Sequence, residues 1–361
     1  MQRTIVRMQT RPRRARGAAI DPPNRFDRIE VERTEPPEDR PRTVIVPDHS
    51  RSVLTANSSP DVPFELSINP YRGCEHGCAY CYARTFHEYL GWSAGLEFET
   101  RIAVKFDAAR SLRRELTRPG YRPRPVSLSG ATDPYQPLEG RLGITRSVLE
   151  VLAATRHPVS VVTKNRLVVR DSDLLARLSA VGASRVWLSV TSLDPRLTRR
   201  LEPRTSTPSA RLAAIRRLTD AGVPCGVLAA PMIPGLTDHE LPAILAAAAT
   251  AGARWARSMP VRLPGAVAAV FRDWLEREEP NRAARVLGRI RSMRRGGLDD
   301  TVFGRRMRGD GPHAETLHRM FRIFARRHGL GTDPPALCSA QFAPPGGAQL
   351  ELFAQPRSGS G

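Results

Sequence analysis

Lysine is nearly absent from this chain. Of its 56 lysine and arginine residues only Lys105 and Lys164 are lysine, and all the others are arginine. This skew is typical of a GC-rich coding bias, so many arginines are expected at ordinary solvent-exposed positions. It also makes the two lysines informative, because a lysine in such a chain is favoured where a compact ammonium is needed that arginine cannot mimic.

Long hydrophobic runs are also missing. The longest apolar segments, such as residues 243–249, are too short to span a bilayer. Residues 1–16 are rich in arginine and lack the apolar core of a signal peptide. The chain is therefore predicted to be cytoplasmic, with no membrane partner, in a compartment where thiols stay reduced. Its 361 residues, 40% of them hydrophobic, suffice for one large domain or two ordinary ones.

Acidic residues are too few to balance the basic ones, and the formal net charge is +20. Such an excess favours polyanionic partners, of which nucleic acid is the obvious candidate. The coding bias explains the same excess without any partner. A nucleic-acid footprint requires the charges to cluster on one face, and the sequence does not show such clustering. Both interpretations therefore stay open.

Cysteine is scarce, and the odd total of five argues against a disulfide framework in a reducing compartment. Three of the five form a C-x3-C-x2-C run at Cys74, Cys78 and Cys81, with Tyr80 before the last cysteine. Three thiolates in a short loop can bind three corners of a cubane 4Fe–4S cluster and leave the fourth iron open. The alternative is structural zinc, which would need four ligands; the neighbouring His76 lies between two cysteines, where its ring is cramped.

Strand and helix patterns alternate along the middle of the chain. About six such units predict an α/β fold with a parallel sheet and helices outside it. The predicted strands cover residues 66–68, 125–129, 159–163, 185–191, 225–230 and 255–263. A helix is predicted over 79–89 and another over 172–181, with Asp171 as the N-cap of the second.

The two ends of the chain have a different composition. Residues 1–60 are rich in Arg, Pro, Glu and Asp, and residues 344–361 in Pro, Gly, Ser and Gln, so both are predicted to be mostly disordered tails. A short apolar piece at 43–46 is predicted to add an edge strand. The core domain is predicted over 61–280, followed by an appended helical extension over 281–343.

The cysteine run is the signature of the radical S-adenosylmethionine (SAM) superfamily, and the chain resembles that superfamily there. Over residues 64–324 it resembles the branch that contains spore photoproduct lyase, and in particular a bacterial subgroup of that branch. The matching motifs follow the subgroup's order and cover residues 68–84, 132–137, 163–164, 201–204 and 231–238.

The resemblance implies a fold, cofactors and a partner. The fold would be an open partial (β/α)6 barrel, with a 4Fe–4S cluster on the three cysteines. The open iron would chelate SAM, and one electron would cleave SAM to a 5′-deoxyadenosyl radical. A flavodoxin- or ferredoxin-type electron donor is expected as a partner.

Polar residues recur where the predicted strands end, which is where such barrels place their active sites. SAM gives these residues roles: Lys164 supplies a cation, Asp133 an acceptor, and Ser189 and Thr191 hydroxyls. The resemblance implies that Tyr80 lies beside the adenine, and that Lys164 and Ser189 stand where lyase residues contact SAM.

Thr132 and Gly235 complete the set of candidate SAM contacts. Each candidate also has an ordinary interpretation. Thr132 and Asp133 would fit a simple turn before Pro134, and Gly235 would fit a turn that needs glycine. Ser189 and Thr191 would fit polar strand residues that face the barrel interior.

One feature of the lyase is missing. The lyase carries a cysteine just before a Thr/Ser-Asp element at the end of its second strand, and that thiol returns a hydrogen atom to the product radical. Here residues 129–131 precede Thr132, and Cys225 and Cys338 lie elsewhere. Dimer repair by that route is not expected. The sequence predicts a radical SAM enzyme of unknown substrate, with nucleic acid as a candidate; a non-catalytic nucleic-acid-binding protein that carries zinc or an Fe–S cluster is the alternative.

Overall fold

A computed structural model describes residues 16–26, 41–128 and 130–346. Within these residues no helix is both long and apolar enough to cross a membrane. The strands are β1 (Val44–Pro47), β2 (Leu54–Ala56), β3 (Leu66–Ile68), β4 (Tyr71–Arg72), β5 (Arg101–Val104), β6 (Val126–Leu128), β7 (Val159–Thr163), β8 (Ser184–Ser189), β9 (Cys225–Met232) and β10 (Trp255–Pro260).

The helices alternate with these strands and continue beyond them. They are α1 (Glu97–Thr100), α2 (Ala108–Leu116), α3 (Glu139–Leu142), α4 (Ile144–Ala154), α5 (Ser172–Ser179), α6 (Pro195–Leu201), α7 (Pro208–Asp220), α8 (Leu241–Thr250), α9 (Val267–Glu278), α10 (Pro280–Ser292), α11 (Arg305–Arg308) and α12 (Gly311–Arg327). Four 3₁₀ helices, at Tyr82–Phe86, Glu88–Leu90, Arg166–Asp171 and Asp238–Glu240, complete the described part.

The main sheet is an open, mostly parallel sheet with the strand order β10-β9-β8-β7-β6-β3-β2. Every neighbouring pair from β3 to β10 is parallel, and β2 adds an antiparallel strand at the β3 edge. Strands β3 and β6 are buried throughout, as expected when helices cover a parallel sheet. The predicted α/β fold with an open partial barrel is confirmed. The carboxyl ends of six parallel strands meet at one edge.

The predicted helix over 79–89 is wrong, because two short 3₁₀ helices stand there instead. Cys81 is extended rather than helical, and the buried Arg84 side chain turns inward to donate to the carbonyl of Cys78. Asp171 precedes α5 as predicted, but its side chain does not cap the helix; it accepts from Tyr135 and Arg146 instead.

A second, three-stranded sheet lies beside the cysteine loop, in the order β1-β5-β4. Its edge strand β1 is the strand predicted at 43–46. Residues 16–26 and 41–60 of the predicted tail are among those that the structure describes. Residues 17–19 are buried, and the amides of Gly17 and Ala18 donate to Glu99 at 3.0 and 2.7 Å. Residues 1–15, 27–40, 129 and 347–361 lie outside the described residues, so most of the predicted tail over 344–361 and the last residue of the predicted strand over 125–129 do as well.

The region predicted as a helical extension also contacts the sheet. Arg294 is 3% exposed and donates to the carbonyl of Val261, just after β10, at 2.9 Å. Arg306 donates to Asp61 and to Ser59, in the loop between β2 and β3. Helix α12 packs on α8. The extension therefore joins both edges of the open sheet, while its status as a separate domain stays a prediction.

The backbone contact between Gly17 and Gly77 provides a test of the order of the N-terminal segment. A Cβ atom on Gly17 would lie 1.8 Å from the carbonyl oxygen of Gly77. We expect Gly17→Ala to lower stability by ~1–3 kcal/mol, the usual cost of overpacking. Thermal denaturation measures the loss. Gly288→Ala, in α10 with open space around it, is the matched control and should be neutral or slightly stabilising. A Gly17→Ala variant that melts like the wild type would contradict this packing.

Candidate cofactor site

The cysteine loop follows β3 and β4 and is largely withdrawn from solvent. Cys74 and Cys78 are 5% exposed, and Cys81 is half-buried. Gly73 and Gly77 hold left-handed conformations, with φ of +84° and +66°, which let the loop turn tightly between the cysteines. Burial raises the pKa of all three thiols. They would stay protonated at neutral pH unless a bound cationic group stabilised the thiolates.

A fully buried ion pair fixes the back of this loop. Arg84 and Glu99 are both 0% exposed, and Arg84 Nη2 lies 2.5 Å from Glu99 Oε1. Arg84 also donates to the carbonyls of Cys78 and Gly95. Since the same Glu99 accepts from the amides of Gly17 and Ala18, one carboxylate joins the N-terminal segment, α1 and the cysteine loop.

His76 does not stand as a fourth metal ligand. Its Nδ1 lies 3.4 Å from Asp133 Oδ2, and its Nε2 lies 3.2 Å from Asn165 Nδ2. Both ring nitrogens therefore contact the loops after β6 and β7. Within residues 16–26, 41–128 and 130–346, no three His, Cys, Asp or Glu side chains gather around a point that one metal ion could occupy. Three thiols in one loop, without a fourth ligand beside them in the described part of the chain, fit a cubane better than a structural zinc.

Asp133 braces the loops after β6 and β7. Its Oδ1 accepts from Tyr135 N at 2.8 Å and from Thr163 Oγ1 at 2.7 Å, and its Oδ2 accepts from Lys164 N at 2.9 Å. Burial raises the pKa of Asp133, but His76 and these hydrogen bonds outweigh it and lower the pKa overall. The carboxylate is therefore committed to protein groups.

Thr132 lies in the loop after β6 and contacts the cysteine loop directly. Its hydroxyl donates to the carbonyl of Gly73 at 2.7 Å. Gln136 reinforces this contact, because its Nε2 donates to the carbonyl of Gly73 at 3.2 Å while its Oε1 accepts from Glu75 N at 2.9 Å. The 132–137 motif thus holds the cysteine loop by three hydrogen bonds.

Lys164, Tyr80 and Thr191 converge on the buried carboxylate of Glu202. Lys164 Nζ lies 3.8 Å from Glu202 Oε1 and 5.8 Å from the centre of the Tyr80 ring. The Tyr80 hydroxyl donates to Glu202, and the Thr191 hydroxyl lies 2.8 Å from it. Burial raises the pKa of Glu202, but Arg211 and Lys164 lower it more, so that the net pKa is about 2. Glu202 is therefore ionised at neutral pH.

Ser189 ends β8 beside this group, and Gly235 lies elsewhere. Ser189 is 5% exposed, and its carbonyl accepts from Arg211 Nη1 at 3.0 Å. Gly235 adopts φ +83° in the turn after β9, where its carbonyl accepts from Arg285 of α10 at 3.3 Å. Of the candidate contacts, Gly235 alone is not brought to the others by a described contact.

Sequence reasoning assigned no role to three residues that hold the site together: Glu202, Arg211 and Gln136. Glu202 and Gln136 lie within motifs that were recognised, at 201–204 and 132–137, so the motifs themselves were the available signal. Arg211 is 0% exposed in α7 and lies outside every motif. One buried arginine among so many arginines carries no distinguishing signal in the sequence.

Comparison with known proteins gives relatives in bacteria and archaea. Proteins named as uncharacterized in Mycobacterium tuberculosis and Mycobacterium bovis are 40% identical over 226 residues, which is 62% of this chain and 66% of theirs. A protein of Methanocaldococcus jannaschii is 28% identical over 173 residues, 48% of this chain and 62% of its own. The match thus spans slightly less than two thirds of these relatives' length.

Solved structures of spore photoproduct lyase share the fold. One variant of the lyase superposes with a TM-score of 0.59 at 19% identity, over 80% of this chain and 81% of the lyase. A lyase variant with bound SAM and a dinucleoside spore photoproduct gives a TM-score of 0.54 at 19% identity, over the same shares.

The model of the radical SAM superfamily matches residues 68–248, just over half of the 361 residues. This stretch begins at the end of β3, contains the whole cysteine loop and ends within α8. The chain therefore belongs to the radical SAM superfamily, and it shares its fold with spore photoproduct lyase.

Proposed function

We propose that the chain binds a 4Fe–4S cluster on Cys74, Cys78 and Cys81, binds SAM beside it, and abstracts a hydrogen atom from a substrate still to be identified. One observation carries the proposal: three thiols withdrawn from solvent share a loop with no fourth ligand among the described residues, and the Lys164 ammonium lies 5.8 Å from the centre of the Tyr80 ring in that loop. When bound, the cluster and SAM together supply a 5′-deoxyadenosyl radical after one-electron reduction.

The chain's own residues hold and shield the cluster loop. Arg84 and Glu99 fix its back, and Thr132 and Gln136 fix its Gly73 side. Because these contacts come from separate elements, the loop is held before the cofactor binds. Burial of the thiols also keeps water from them, which favours controlled radical chemistry over side reactions.

The electrostatics at the strand ends suit a zwitterionic ligand. Of the two cations beside Glu202, Arg211 donates a hydrogen bond to the carboxylate and the other stays 3.8 Å from it, so one positive charge is only partly neutralised by Glu202. We assign that charge to Lys164, whose side chain is 15% exposed, and propose that it pairs with the SAM carboxylate. The Tyr80 ring would pack on the adenine.

The remaining candidates divide into ligand contacts and positioning groups. We propose that Ser189 and Thr191 offer hydroxyls to the ribose. Asp133 and Thr132 would serve SAM indirectly, because protein groups occupy their side chains. Nothing in the contacts of Gly235 supports a direct role.

The proposed chemistry needs an electron source and a reducing compartment. We propose a flavodoxin- or ferredoxin-type donor and a cytoplasmic location. Return of a hydrogen atom by a thiol, as in the lyase, is not part of the proposal. Cys225 begins β9, and Cys338 N bonds to Gly182 just before β8, so both lie at the amino ends of strands, opposite the site.

Nucleic acid is the substrate class that the charge distribution favours. Residues 281–330 contain thirteen arginines against four acidic residues. On α12 the exposed Arg319, Arg322 and Arg326 follow one another at three- and four-residue spacing and so share a face. Clustering on one face is what a polyanion footprint requires and what a uniform coding bias does not provide.

Cysteine substitutions test the cluster. We expect Cys74→Ala, Cys78→Ala and Cys81→Ala each to lose most of the iron after anaerobic reconstitution, because two thiolates do not retain a cubane. Iron and sulfide analysis and absorption at about 400 nm measure the loss. Cys225→Ala is the matched control and should load like the wild type. Stoichiometric zinc that disappears in His76→Gln would instead support the alternative, a structural zinc site.

Lysine substitutions test the SAM contact. We expect Lys164→Ala to raise the SAM dissociation constant by about one to two orders of magnitude, since a charged hydrogen bond contributes ~1.5–3 kcal/mol. Lys164→Arg should also bind more weakly, because the guanidinium is longer and planar. The cluster spectrum should not change in either variant. Titration of SAM, followed by the cluster's EPR signal, gives the affinities.

The chain offers a matched control in its other lysine. Lys105 is 8% exposed and donates to the carbonyl of Ser52, just before β2, at 3.2 Å. Lys105→Ala should cost stability and leave SAM affinity as it is. Wild-type affinity in Lys164→Ala would remove Lys164 from the site.

Salt dependence tests the basic face of α12. We expect affinity for single-stranded DNA or RNA to fall steeply with salt, and the triple substitution of Arg319, Arg322 and Arg326 by Ala to make the logarithmic slope shallower by roughly one to three. The same change at Arg110, Arg113 and Arg114 of α2 removes equal charge from another surface and serves as the control. Coding bias would be favoured if both triple variants changed the salt slope equally, or if the chain bound heparin as tightly as it binds nucleic acid.

A further inference from the structure

A buried ion pair between Glu202 and Arg211 lies directly behind the proposed SAM contacts. Glu202 is 1% exposed and Arg211 is 0% exposed, and Arg211 Nη2 donates to Glu202 Oε2. The other carboxylate oxygen, Oε1, faces the site. It accepts from the Tyr80 hydroxyl and lies 2.8 Å from Thr191 Oγ1 and 3.8 Å from Lys164 Nζ.

These contacts join elements that are far apart in the chain. Tyr80 belongs to the cysteine loop, Lys164 follows β7, Thr191 follows β8, and Glu202 ends α6. Without a common partner, the side chains from three loops would be free to take several rotamers. The carboxylate therefore restricts the groups that a ligand at the strand ends would meet.

Arg211 extends the same set of contacts to the backbone. Its Nη1 donates to the carbonyl of Ser189 at 3.0 Å, and its Nε donates to the carbonyl of Ser206 at 2.8 Å. The amide of Ser206 in turn donates to the carbonyl of Lys164 at 3.3 Å. Arg211 thus holds the backbone on both sides of the site while it neutralises Glu202.

Glu202 has little exposure left for a ligand. Its two oxygens already have the Tyr80 hydroxyl, Thr191 and Arg211 as close partners. The chemistry open to it is to hold other side chains in place.

We propose that Glu202 and Arg211 are positioning residues, which fix Tyr80, Lys164 and Thr191 in the geometry that binds SAM. The proposal rests on the proposed SAM site. Glu202 acts by preorganisation, because it sets the rotamers of the side chains that contact SAM before SAM binds. Loss of the carboxylate would then weaken SAM binding without any lost contact between Glu202 and SAM.

Glu202→Gln tests this in the reconstituted full chain. The amide keeps the shape of the carboxylate but places an NH2 group against Arg211 or Lys164. Glutamine therefore no longer holds these side chains in place. We expect iron content close to that of the wild type and a SAM dissociation constant raised about tenfold, the size of effect that outer-shell partners of ligand groups produce. Tyr80→Phe, which keeps the ring and removes only the hydroxyl, should raise it less and remains informative if Glu202→Gln does not fold.

A double-mutant cycle separates positioning from a merely structural role. If Glu202 acts through Lys164, the effect of Glu202→Gln on SAM affinity should largely vanish in a Lys164→Ala background. If the effects of Glu202→Gln and Lys164→Ala on the free energy of SAM binding add fully in the double variant, the proposal is overturned.

Glu115→Gln is the matched control. Glu115 is 3% exposed in α2 and accepts from Val53 N at 2.7 Å and Ser52 Oγ at 2.9 Å, so it is another buried carboxylate with protein donors. It should lower the melting temperature without changing SAM affinity. Unchanged affinity in Glu202→Gln would overturn the positioning role alone, whereas a wild-type chain that binds neither iron nor SAM would overturn the proposed function.

Discussion

The site depends on buried carboxylates that must be satisfied by groups from several loops at once. A carboxylate removed from water is strongly unfavourable unless donors or cations surround it. The buried Glu99 and Glu202 and the mostly buried Asp133 each meet this requirement with partners from at least two separate segments. Each carboxylate therefore fixes the relative position of loops that the sheet alone would leave free.

The three carboxylates act at different places around one edge of the sheet. Glu99 supports the back of the cysteine loop, Asp133 joins the loops after β6 and β7, and Glu202 joins the cysteine loop to the ends of β7 and β8. Breaking a buried pair by removing one partner costs about 3–5 kcal/mol, because the other charge is left uncompensated. The loops at this edge are thus expected to be as ordered as the strands that carry them.

Much of the fold follows from local patterns in the sequence. Strand β7 has the predicted bounds, and the alternation of strands and helices leads directly to the open parallel sheet. The N-terminal segment could not be placed in this way. Gly17 and Ala18 are held by hydrogen bonds to Glu99, which lies about eighty residues away in the sequence. A contact of this kind produces no periodic pattern of apolar residues from which it could be predicted.

The site residues also differ in whether the local sequence reveals them. Cys74, Cys78 and Cys81 are recognisable because their spacing is local, and Lys164 stands out because lysine is rare. Glu202 and Arg211 owe their importance to burial beside Tyr80 and Lys164, which tertiary packing alone decides. The position of Asp133 at the end of a strand predicts a site residue. That position does not tell whether the carboxylate contacts a ligand or holds two loops together.

If Cys74, Cys78 and Cys81 bind a cubane cluster, the fourth iron has no cysteine ligand and is open to SAM. Mössbauer spectra of the chain reconstituted with ⁵⁷Fe, recorded with and without SAM, test it most directly. We expect SAM to shift the signal of one iron site and leave the others unchanged, because only the iron without a cysteine can accept the ligand. A spectrum in which all iron sites stay equivalent after SAM is added, or a protein that retains zinc and no iron, would contradict it.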